Sequence, residues 1–169
     1  MTPLKLLIAA ALALSLSACA DSISAPTAVQ PLSAPSAASL HVSDITADAA
    51  TGVEMSEGDF GLICQKVRGY IQSQTPGVLA AGDGTPLKMR LHFTKFDRGN
   101  AFARMMLAGL GQIRIEATVQ FTDAAGAPAG TYTVAKDFSF GGMYGGSVTV
   151  EDVEDGFAKS VAEIFKPKA

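Results

Sequence analysis

Apolar and polar residues alternate most strictly between positions 113 and 122. Ile113, Ile115, Ala117, Val119 and Phe121 hold one parity, and Arg114, Glu116, Thr118, Gln120 and Thr122 the other. A period of two marks a strand with one dry and one wet face. Leu87, Met89, Leu91 and Phe93 alternate in the same way with Lys88, Arg90, His92 and Thr94. Residues 131–140 form the return arm of a hairpin after a loose turn at 123–130, with Tyr132, Val134, Phe138 and Phe140 on one parity. Lys136 falls on that dry parity, which calls for a snorkelling stem or a bulge. Leu40, Val42 and Ile45 predict a further strand whose phase slips near Asp44, as at a bulge.

Two stretches switch to helical spacing. Phe60, Ile63, Cys64, Val67, Tyr70 and Ile71 make one stripe, with Lys66, Arg68, Gln72 and Gln74 on the wet side and Thr75, Pro76 and Gly77 as the stop. Val153, Phe157, Val161 and Ile164 make the other. Both starts carry the same device. Ser56 with Asp59 and Thr149 with Asp152 have capping-box spacing, and Met55 with Phe60 and Val148 with Val153 fit a hydrophobic staple. Glu151, Asp152, Glu154 and Asp155 crowd the positive end of the second helix, where carboxylates are favoured.

Strands with one wet parity need cover on one face only. The expected fold is therefore α+β: a two-layer sandwich with an about four-stranded, mainly antiparallel sheet and two amphipathic helices on one face.

Ahead of this lies an export address. Lys5, an apolar run over residues 6–16 interrupted by Ser15, and small residues before Cys19 describe a secretory signal peptide. The run is too short to cross a bilayer, which needs roughly 20 apolar residues. Leu16-Ser17-Ala18-Cys19 resembles the lipobox of bacterial lipoproteins, which implies acylation of Cys19 and cleavage before it. A permanent anchor needs more than one acyl chain, and that class supplies two or three. Ala20, not Asp, follows the cysteine, which in that class points to the periplasmic face of the outer membrane over the inner membrane. Residues 20–39 are rich in Ala, Ser, Pro and Thr, and Pro26, Pro31 and Pro35 break regular structure. They read as a disordered tether, about 25 Å relaxed and about 65 Å stretched. The expected division is signal peptide 1–18, lipidated Cys19 and tether 19–39, and one α+β domain 40–169.

Composition narrows the chemistry. The formal charge of −3 argues against a nucleic-acid partner. With Cys19 acylated, Cys64 is the single remaining cysteine and reads as a small buried hydrophobe. No nucleophile elbow, zinc helix motif or calcium loop is present. His41 and His92 fall on wet parities, and a crossover that set their strands side by side could bring the two together; no further ligands are marked, so no metal or cofactor is expected. The turn Gly141-Gly142-Met143-Tyr144-Gly145-Gly146 lacks a phosphate-binding signature, and Tyr144 could touch a partner at its tip.

The connector at 97–111 is the second stretch that could carry function. Its Phe102, Met105, Met106, Leu107 and Leu110 call either for packing on the core or for an adaptable contact with a partner protein, another copy or lipid. Phe96-Asp97-Arg98-Gly99-Asn100, then Arg104, then Gly109-Leu110-Gly111, and a strand ending Phe121-Thr122-Asp123-Ala124 resemble a domain family of unknown function found in bacterial lipoproteins. The resemblance spans roughly residues 40–165 and implies fold and location without any catalysis or ligand. The layout is also similar, more distantly, to the periplasmic α/β domain of the curli secretion channel lipoprotein. The expectation is a non-enzymatic, lipid-anchored envelope module that engages an envelope protein or itself. The alternative is a binder of a small apolar ligand or lipid held between helices and sheet.

Overall fold

The strict alternation at Ile113–Thr122 (β4) becomes the middle of a five-stranded sheet. The computed structural model describes residues 24–32, 40–80, 86–107, 110–138 and 147–166. Its other strands are β1 (Thr27–Gln30), β2 (His41–Ala49), β3 (Pro86–Asp97) and β5 (Pro128–Phe138), in the spatial order β1-β5-β4-β3-β2. Helix α1 (Glu57–Gln74) joins β2 to β3, α2 (Ala101–Met106) sits between β3 and β4, and α3 (Val150–Ala162) follows β5. The sheet is mixed. β2 and β3 run parallel, which a long crossover such as α1 permits, and the other neighbours are antiparallel. The expected four strands are thus five, with one parallel pair.

The fifth strand lies in the stretch read as tether. Thr27 pairs with Thr133 and Ala28 with Tyr132, antiparallel along the free edge of β5. Pro26 and Pro31 bracket the strand instead of preventing it, because an edge strand has a side that donates to no neighbour. Leu32 then fastens the corner. Its N–H donates to the Tyr132 hydroxyl at 2.9 Å, and its side chain lies where a Cβ on Gly130 would sit.

Both α1 and α3 cover the dry face. Ile63, Val67 and Ile71 from α1 meet Val153, Phe157 and Val161 from α3 over Leu91, Phe93, Ile115, Ala117 and Val119. Phe93 stacks between Phe60 and Phe157 at 6.3 and 5.6 Å, and Phe121 meets Tyr132 and Phe165 edge-on at 6.0 and 5.7 Å. These rings pack between the helices and the sheet. Both capping boxes form, with Ser56 bonded to Asp59 and Thr149 to Asp152.

The phase slip in β2 is a bulge at Ser43: Val42 pairs with Leu87 and Asp44 with Lys88. A second bulge, at Thr94, carries β3 on to Asp97 and turns Phe96 into the core. Near Lys136 the β4–β5 register is regular, so the snorkelling explanation is the one that applies: its stem lies over Gly156 of α3. Lys66 does not take the wet side. It lies between the helices, with Nζ 2.9 Å from Asp155 and 3.3 Å from Glu154, whose side chain is 5% exposed. Burial alone would lower the Lys66 pKa; the bonds to Asp155 and Glu154 outweigh it and raise it.

Candidate functional site

The connector after β3 forms a self-supporting platform. Arg98 follows the strand, with its guanidinium 5.0 Å above the Phe96 ring and bonded to both oxygens of Asp59 at 2.8 and 2.7 Å. The Ser56 backbone N–H first, and Arg98 with it, hold the Asp59 carboxyl below its usual range against the opposing pull of burial. Gly99 and Gly111 then take positive φ values of 62° and 69°. Asn100 caps α2, its side chain accepting from the Ala103 N–H at 3.0 Å, and its own N–H donates to Gly111 O at 3.1 Å. Arg104 is only 3% exposed. Its guanidinium donates to Gly111 O at 2.8 Å and to Val148 O at 2.9 Å, joining the connector to the start of α3. The residues that carried the family resemblance, Gly99, Asn100, Arg104 and Gly111, are the ones that knot this turn.

With Arg104 directed inward, the rest of α2 faces out. Phe102, Met105 and Met106 stand at i, i+3 and i+4, one face of a helix. They are 69, 44 and 61% exposed, and Leu107 and Leu110 beside them are 54 and 56% exposed. The core-packing expectation for the connector is not met; five large apolar side chains form a shelf on the surface. Elsewhere among the described residues, exposed large apolar side chains are single ones, Val29 and Leu62, and single ones are ordinary on any surface.

The other predicted positions separate. His41 pairs with Pro86 and His92 lies opposite Asp48, so the two histidines stand at different ends of the β2–β3 ladder. His92 Nδ1 instead meets Asp48, which also binds Arg90. Burial would raise the Asp48 pKa, but the bonds to His92 and Arg90 lower it. This triad crosses two strands that the sequence alone does not align. Among the described residues no cluster of three or more His, Cys, Asp or Glu could hold a metal ion. Cys64 is half-buried, and that burial pushes its thiol pKa up, away from a reactive thiolate. An open groove of about 580 Å³ runs between residues 52–54 and 94–98, and the Arg98 guanidinium on its rim is already held by Asp59. Cys19 and Tyr144 lie outside the described residues. No described helix is long and apolar enough to cross a membrane.

No curated protein matches the sequence. Two structures of the PelC dodecamer from Paraburkholderia phytofirmans share the fold. One aligns at TM-score 0.53 with 9% identity, over 83% of this chain and 94% of that one. The other, a leucine-to-methionine point variant of the same protein, aligns at 0.51 with 8% identity, over 85% and 96%. A structure from Caulobacter crescentus CB15 named as a candidate lipoprotein aligns at 0.39 with 19% identity, over 70% and 81%. The family described as domain of unknown function (DUF4410) matches residues 36–142, which holds β2 through β5 and the knotted connector. The chain belongs to the DUF4410 family.

Proposed function

We propose that this protein is a lipid-anchored module on the periplasmic face of the outer membrane, and that it works by non-covalent contact at the envelope and not by catalysis. The observation that carries the reading is the α2 shelf: five clustered apolar side chains on a fold whose other apolar residues are largely buried. Soluble domains rarely keep such a cluster in water without an occupant. The lipobox at residues 16–19 supports the location, and the dodecameric state of the PelC structures supports assembly from identical copies.

The test is made on the full chain in cells. Chemical crosslinking followed by gentle detergent extraction should recover the protein at a multiple of its monomer mass or joined to an envelope protein. Cys19→Ser should move it out of the membrane fraction. Recovery as an uncrosslinked monomer would refute the assembly reading, and unchanged membrane association of Cys19→Ser would refute the anchor.

A further inference from the structure

The shelf and the amino-terminal end of β1 lie toward the same end of the sheet. β5 finishes at Phe138 opposite Ile113, where β4 begins and the α2 connector ends. β1 runs antiparallel to β5, so the chain traced backwards from Thr27 heads for that end. From the Thr133 position to Phe138 is five residues, about 17 Å of strand. From Thr27 back to Cys19 is eight residues, at most about 28 Å of extended chain. While β1 stays paired, Cys19 can therefore clear this sheet end by no more than about 10 Å, one helix diameter. The docked strand replaces a long stand-off with a short one.

We propose that the occupant of the shelf is the bilayer surface that holds the anchor, with Phe102, Met105, Met106 and Leu107 seated at the headgroup boundary. This rests on the reading that Cys19 is acylated and deepens it by giving the domain a fixed face toward the membrane. The chemistry of the shelf fits a lipid surface. Residues 98–112 hold two arginines and no carboxylate, so nothing within them repels anionic headgroups. Asp97, the nearest carboxylate before them, accepts the Gly99 N–H at 2.8 Å. The shelf is also presented rigidly, since Arg104 ties α2 to the start of α3 from beneath.

The test uses the full acylated chain reconstituted in phosphatidylethanolamine–phosphatidylglycerol vesicles that contain brominated lipid. A fluorophore is placed at Met106→Cys, and separately at Gly61→Cys on the outer face of α1, both in a Cys64→Ala background. Interfacial apolar faces lie about 5–10 Å into the headgroup boundary, so the bromines should quench the Met106 probe about threefold more than the Gly61 probe. Phe102→Asp should abolish the difference. Equal quenching at both sites, with the acyl mass present on the protein, overturns the seating and leaves the anchor standing. A Met106 probe shielded from aqueous quencher and also unquenched by lipid bromine would assign the shelf to a second copy or a protein partner and also overturns it. Absence of the acyl mass overturns the anchor reading itself and this proposal with it.

Discussion

Replacing Gly111 by alanine should damage this fold far more than replacing Gly126, although both glycines have positive φ, 69° and 84°. At Gly126 nothing lies within 4 Å of an added Cβ, so the cost is the left-handed backbone alone, about 1–2 kcal/mol. At Gly111 the new methyl would overlap the Asn100 carbonyl oxygen and sit 2.9 Å from Ala103 Cβ. Backbone must move. The bonds at risk are Asn100 N–H to Gly111 O and Arg104 to Gly111 O. A neutral bond is worth about 1 kcal/mol and one from a charged donor about 1.5–3 kcal/mol. The summed loss for Gly111→Ala is about 3.5–6 kcal/mol. Urea denaturation followed by circular dichroism, on the chain from Ala20 onward so that β1 is kept, measures both variants. Equal losses at the two glycines would refute the claim that Gly111 is held by close contact and not by φ alone.

Two further outcomes are expected. Lys66→Met should destabilise by about 3–5 kcal/mol, because it strands the buried Glu154 carboxylate, and Lys66→Met with Glu154→Leu should restore most of that in the same denaturation assay. On acidification, Asp59 has a folded pKa below its unfolded value of about 3.9. Its contribution is therefore full above about pH 4 and is lost as pH falls through the lower folded value. Asp59→Asn should flatten the acid limb of stability against pH below about 4, and an unchanged limb would assign the acid sensitivity elsewhere.

Local rules are enough wherever one residue's neighbours in sequence decide its environment. The alternation around Ile115 and Val119, the two capping boxes, and even the slip at Ser43 are of this kind. The misses all involve partners far along the chain. Thr27-Ala28-Val29-Gln30 carries no periodicity, and its pairing exists only because the far edge of β5 is free. Lys66 looks like a solvated position on a helical wheel until α3 lays Glu154 and Asp155 across it. Asp48, Arg90 and His92 meet through the parallel register, which no spacing rule gives. The apolar residues of the connector call for a core to cover them. The structure instead stabilises that segment through hydrogen bonds from Asn100 and Arg104 to backbone carbonyls, which leaves its greasy face unused by the fold. The candidate residues of the shelf are thus visible in sequence, and their exposure is not.

The pairing of β1 with β5 also sets an order of events. Thr27 and Thr133 are more than a hundred residues apart, so the segment nearest the amino terminus has nothing to dock against until almost the whole polypeptide has been delivered. With the anchor at residue 19 that we propose, some twenty residues separate it from β2 before that moment, and eight separate it from Thr27 once the edge strand has paired. On that proposal maturation ends with a shortening of the mooring, and a protease able to cut near Pro26 would find its target early and lose it late.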